Sequence, residues 1–225
     1  MTKPLRVGIH LFDNMTMLDG YAPLQALSFV PGLEVTTFAK STAPLRSDCG
    51  AMLLAAHDLV DCPALDVLVM PGGGDVLPQM QDPDLQAFLR ERANDFAWVT
   101  SVCTGSLILA EAGLLDGYRA TTHWGWLPRL ARYPGIEVAD ERVVVDRNRV
   151  TGGGITAGLD FALTLAATVV GDEAAQAAQL VMQYEPVPPY ACGHPARAPA
   201  PLTAAVRGMV DQRCAALDAW LDRRT

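Results

Sequence analysis

The sequence predicts an α/β sandwich with a mostly parallel central sheet, and three observations predict it. Short apolar runs rich in β-branched residues alternate with segments of helical spacing. Glycine-rich turns fall where such runs end, at Pro71-Gly72-Gly73-Gly74 and Thr151-Gly152-Gly153-Gly154. Between them, the uncharged run Trp98–Val102 gives way to helical spacing at Thr104, with Leu107, Ala110 and Leu114 on one face. In sheets of this kind ligands bind outside the carboxyl ends of the strands, where all three features lie.

Arg6–Phe12 is the first strand, broken by Asp13-Asn14. Helical spacing runs from Met17 to Phe29 and stops at Pro31-Gly32. Leu33–Ala39 is a second strand, and Ser41–Asp58, with Pro44 and Gly50, forms a short hairpin. Leu65–Met70 is a third strand. Asp82 caps a helix that Pro83 opens, with Leu85, Phe88 and Leu89 inward. Gly113 and Gly117 punctuate the region after the central segment; Arg119–His123 is short and extended, and Trp124–Tyr133 is a helix stopped by Pro134-Gly135. Val143–Asp146 and Arg149–Thr151 flank Arg147-Asn148 as a hairpin. A long helix covers Ile155–Val170, and Asp172 caps another reaching about Gln183. Glu185–Pro201 is proline-rich, expected to lie over the surface or a partner subunit, and Leu202–Arg223 is a last amphipathic helix. Residues 1–225 read as one domain, with 185–225 as an extension.

Half of the 225 residues are hydrophobic and 19% charged, the balance of a globular chain. Seventeen Lys and Arg against 25 acids give a net charge of −8 with no basic cluster, which argues against nucleic acid or an anionic membrane as partner. The five cysteines are scattered without a C-x-x-C, which suits a reducing compartment. No apolar leader or twenty-residue apolar stretch is present, so the expected location is cytoplasmic.

Cys103 sits where strand changes to helix. Ser101 before it and Gly105 after it let the chain turn sharply, as in a strand–nucleophile–helix elbow. Amides opening the helix are expected to favour a thiolate there; the plain alternative is a small buried cysteine. Amides of Gly73 or Gly74, with that of Thr104, would make an anion-stabilising pair, unless the glycines merely end strands. Asp19 is either an ordinary helix N-cap or a carboxyl held over the cysteine, its pKa raised so that it supplies a proton. His123 is the best placed of four histidines to act as a base, or else a packed, locally bonded ring. His10 reads as a core residue, and His57 and His194 fall in loops. No histidine pair has metal-ligand spacing, and G-x-G-x-x-G and a phosphate-loop lysine are absent, so neither metal nor nucleotide is expected.

From Arg6 to about Gln183, the order and spacing of Pro71-Gly72-Gly73, Ser101-Val102-Cys103-Thr104-Gly105, Ala120-Thr121-Thr122-His123-Trp124 and Thr151-Gly152-Gly153-Gly154 resemble the ThiJ/PfpI superfamily. The resemblance implies a flavodoxin-like three-layer sandwich with a nucleophile elbow, a homodimer, a cysteine nucleophile, and no metal or organic cofactor. It extends to the isocyanide-hydrating branch through Thr100–Leu107, Gly152–Gly158 and Tyr184-Glu185-Pro186. By this likeness Cys103 is the nucleophile, Thr104 the residue after it, and Asp19 the acidic residue following the first strand. Most of the superfamily has Glu there; Asp is the choice of the hydrating branch. The peptidase-like branch has His where this chain has Thr104. Ala22-Pro23 departs from the frequent Gly-Pro, and Tyr21 is expected to reshape a pocket that His123, Gly152, Gly153 and Ile155 also line. Sensory domains of AraC-type regulators share the elbow but continue into helix-turn-helix repeats; a single closing helix with acidic balance argues against DNA binding.

The implied reaction adds water to a small isocyanide, giving an N-formamide through a thioimidate on Cys103 with Asp19 as proton donor. Two alternatives stand beside it. One is glyoxalase-like or amide-hydrolysing chemistry with His123 as base. The other is a non-enzymatic sensor in which Cys103 is oxidised.

Overall fold

A computed structural model describes residues 3–224. The first half comprises β1 (Leu5–His10), α1 (Met17–Ser28), β2 (Leu33–Phe38), the small hairpin β3 (Leu45–Arg46) and β4 (Met52–Leu53), and β5 (Val67–Met70). After α2 (Leu77–Gln81) and α3 (Pro83–Glu91) come β6 (Trp98–Val102), α4 (Gly105–Glu111) and β7 (Arg119–Ala120). A 3-10 turn (Trp124–Trp126) runs into α5 (Leu127–Leu130), followed by β8 (Glu137–Val138), β9 (Val143–Asp146) and β10 (Arg149–Gly152). Three helices finish the chain: α6 (Ala157–Val169), α7 (Asp172–Val181) and α8 (Ala200–Asp222).

The main sheet has the order β2-β1-β5-β6-β10-β9, parallel throughout except for the β9–β10 hairpin. Helices α1, α6 and α7 pack together on one face, and α2, α3, α4 and α5 on the other. Coverage of both faces explains why β5 is buried at every residue and why its sequence, VLVM, is apolar without alternation. The expected α/β sandwich with a mostly parallel sheet is therefore the observed one.

Local signals explain most boundaries, and the differences have physical causes. Asp82 caps α3 by accepting the N–H groups of Asp84 and Leu85, as its position before Pro83 predicts. The helix expected over Trp124–Tyr133 is instead split, because Pro128 lacks the N–H that would bond back to Trp124. α6 begins at Ala157, two residues later than expected. α7 is capped by Gly171 and not by Asp172; at φ 129° Gly171 adopts a conformation that a side chain resists, and Asp172 falls inside the first turn.

The C-terminal helix belongs to the same core. Val210, Cys214, Leu217 and Leu221 recur at helical spacing and are buried with the residues of the sandwich. Buried Arg129 of α5 fixes its position, donating through Nη1 to Asp211 (2.8 Å) and through Nε and Nη2 to the two oxygens of Asp218 (2.9 and 2.7 Å). Among the described residues, no helix is long and apolar enough to cross a membrane. Asp218→Ala is expected to cost about 2 kcal/mol in urea unfolding, because it strips a buried guanidinium of its two-oxygen partner. The more exposed, singly bonded Asp211 should cost clearly less when changed to Ala.

Candidate active site

Cys103 lies between β6 and α4 with φ 56°, in the left-handed region that a side-chain-bearing residue enters only under constraint. The constraint is visible. Its N–H is shared between the carbonyls of Gly152 (3.0 Å) and Gly153 (3.1 Å), and its carbonyl accepts the Thr122 hydroxyl (2.9 Å). Gly105 opens α4 so close to β5 that a Cβ there would stand 2.0 Å from the Met70 carbonyl oxygen. Only glycine permits that approach.

The neighbouring Pro71–Gly74 turn is locked to the elbow. Thr104 Oγ1 donates to the Gly73 carbonyl (2.7 Å) and accepts the Gly73 N–H (2.8 Å). The Gly73 amide is thereby consumed, so it is not the free anion donor the sequence suggests. Gly74 and the Thr104 amide are what remains: Gly74 lines the cavity, and the Thr104 N–H faces the sulfur and lowers its pKa.

Asp19 stands in the first turn of α1, where Thr16 and not Asp19 occupies the cap position. The start of α1 is pinned to the same turn, since Thr16 N–H donates to the Gly72 carbonyl (3.0 Å) and Met15 bridges Gly73. The Asp19 carboxyl is fully buried, and neither oxygen makes a conventional hydrogen bond. Burial pushes its pKa up to about 7, against the opposing pull of the Cys103 thiol and the Gly72 amide. Burial and the adjacent Asp19 push the Cys103 thiol well above its usual value, outweighing the Thr104 amide. Burial thus opposes the thiolate that the helix terminus favours, and the two acids hold each other toward their neutral forms.

Above the pair opens a cavity of about 520 Å³. Cys103 and Gly74 lie in its floor, and His123, Trp126 and Ile155 form one wall. Asn14, Thr16, Asp48 and Asp75 contribute from the α1 side and the glycine turn. Its roof is α8, through Val206, Met209, Val210 and Arg213. These four share one helical stripe that the sequence displays, but nothing in the pattern says what the stripe covers. Tyr21 and the backbones of Gly152 and Gly153 do not line this cavity. Tyr21 is two residues from Asp19, about 200° further round α1, and packs against the core instead. Gly152 and Gly153 act from beneath, through the carbonyls that hold Cys103.

His123 is positioned as a wall and a cap. Its Nδ1 accepts the Gly125 N–H (3.1 Å), its ring meets Trp126 edge-on at 4.9 Å, and burial lowers its pKa to about 4. Gly154 gives the ring room, since a Cβ there would lie 1.8 Å from it. Elsewhere, His10 is buried in β1 between Phe12 and Phe38, as a core residue. Among the described residues, no three His, Cys, Asp or Glu side chains are grouped to hold a metal ion.

Residues 5–168, from β1 through nearly all of α6, match the DJ-1/PfpI family. The chain belongs to that family. This DJ-1/PfpI protein is 46% identical to isonitrile hydratase of Pseudomonas putida over 195 residues, 87% of this chain and 85% of that one. Its fold matches the crystal structure of a ThiJ/PfpI family protein from Pseudomonas syringae with a TM-score of 0.92 and 37% identity, covering 97% and 90% of the two chains. It is also 28% identical over 190 residues to the HTH-type transcriptional regulator GbdR of Pseudomonas aeruginosa, covering 81% of this chain but 52% of the regulator.

The buried carboxyl gives this DJ-1/PfpI protein a specific pH signature. Below pH 3.8 Asp19 is protonated whether the chain is folded or not. Between about 4 and about 7 the folded chain keeps a proton that the unfolded chain has lost, so this group's contribution to stability falls as pH rises through that window. Asp19→Asn cannot ionise. It is expected to gain up to about 4 kcal/mol on the parent between pH 3.5 and pH 8, measured by urea unfolding at both pH values.

Proposed function

We propose that the chain hydrates an isocyanide to an N-formamide through a covalent thioimidate on Cys103, as a cytoplasmic homodimer acting without metal or organic cofactor. One observation carries the reading above the others: a fully buried carboxyl stands against the elbow thiol, its pKa raised by burial to about 7. The 46% identity to isonitrile hydratase supports the same assignment.

The terminal carbon of R–N≡C has no leaving group, so sulfur and hydrogen must both add to it. In the proposed first step the Asp19 carboxylate takes the thiol proton as the sulfur attacks, then delivers it to that carbon, giving R–N=CH–S–Cys103. Water then adds to the same carbon, its proton passing by way of Asp19 to nitrogen. Collapse breaks the C–S bond, returns the hydroxyl proton to the departing sulfur and releases R–NH–CHO. The Thr104 N–H stabilises negative charge on sulfur in both directions. No proton or electron is left over.

His123 does not favour the glyoxalase-like or amide-hydrolysing alternative. Its accepting nitrogen is engaged by Gly125, so the ring offers the cavity an N–H and no base. A thiol pushed above its ordinary pKa also suits an oxidation sensor poorly, because peroxide reacts with the thiolate.

Formamide release from n-butyl isocyanide is the direct test, and Cys103→Ala is expected to abolish it while the circular dichroism spectrum stays unchanged. The productive pair carries one proton between its two members. Accordingly, kcat/KM is expected to rise with pH through about 7 and then level off, as the second proton leaves Asp19. Asp19→Asn should lose that limb along with at least about a hundredfold of the rate. A flat pH profile in the parent enzyme overturns the role given to Asp19.

A further inference from the structure

A second cavity, of about 160 Å³, lies along α8 next to the first. Trp124 of the 3-10 turn lines one side, Leu202 and Thr203 of α8 the other, and Cys192 and Ala198 of the proline-rich strap close it. Val206 lines both cavities. The same two elements therefore bound both spaces: α8 on one side and the His123–Trp126 segment on the other. The two cavities are thus neighbours along α8, and the distal one, which His194 and Pro195 of the strap also line, is mostly apolar. All of α8 and the strap lie outside the family-matched residues 5–168.

We propose that this distal cavity is a subsite for the far end of the substrate's R group, and that Val206 sets how such a group passes. The inference rests on the isocyanide reading and names its substrate class: an elongated chain, apolar along its length. A short alkyl isocyanide fills only the space above the sulfur. A longer one runs along α8 and loses water from each methylene.

The test compares n-butyl with n-octyl isocyanide in the full chain. Ala198→Phe fills the distal cavity without touching the first, since Ala198 lines only the distal one. It should leave kcat/KM for butyl isocyanide unchanged and lower that for the long substrate by at least about tenfold, at about fourfold for each methylene denied burial. An unchanged long-to-short ratio in Ala198→Phe overturns the subsite. If the parent enzyme turns over neither compound, the isocyanide reading fails on that result. The subsite is then judged separately by calorimetric binding of N-butylformamide and N-octylformamide to the same variants. A selective loss for the long probe in Ala198→Phe upholds the subsite, and equal affinities across variants reject it.

Discussion

The left-handed backbone at Cys103 is the constraint on which the other features depend. Holding a non-glycine residue at φ 56° costs about 1–2 kcal/mol, and the surroundings must over-determine it. They do so from three sides: two glycine carbonyls of the β10 turn share the Cys103 N–H, Gly105 presses onto β5, and Thr104 is doubly bonded to Gly73. The first attachment comes from the end of β10 and the other two from the end of β5. A parallel sheet brings those ends to one edge, so the sheet order and the elbow are one arrangement described at two scales.

The same arrangement fixes the electrostatics. The sulfur and the first-turn carboxyl of pinned α1 are buried side by side. Burial and mutual repulsion act together on each acid and hold both toward their neutral forms. In the proposed reaction such a pair forms the thiolate only as sulfur attacks, which is a different strategy from holding a thiolate in readiness.

Much of this was legible in the chain itself. The alternation of runs, the capping Asp82, the β9–β10 hairpin and the sharp turn at Cys103 all rest on local chemistry, and local chemistry is what sequence carries. The thiolate expectation weighed a helix terminus, worth about 0.3–1 kcal/mol, without the burial that opposes it. Burial at Cys103 comes from elements as distant as α1 and β10, which the neighbouring residues do not encode. Asp19 was ambiguous for a related reason. The sequence around it suits a cap, and only the bonding of Thr16 to Gly72 and of Met17 to Asp48 shows that the helix starts before it. Tyr21 was placed at the site from its departure from family pattern, which carries no information about helix phase. The stripe along α8 was readable as amphipathic, but its target was not.

That last gap bears on how chemistry and selectivity are divided. The elbow, the Gly72–Gly74 turn, Asp19 and the His123 wall all fall within residues 5–168, whereas the roof falls outside them. The roof meets the core through an apolar face and the Arg129–Asp218 pair, and the hydrogen bonds that hold Cys103 come from β10, the glycine turn and Thr122. Residues such as Val206 and Met209 are therefore positions where change should leave the proton pair in place. The proposed division therefore places the chemistry at the sheet edge and the fit of the R group on an added helix, whose Val206, Met209 and Val210 are apolar, while the charges around the cavity come from Arg213, Asp48 and Asp75.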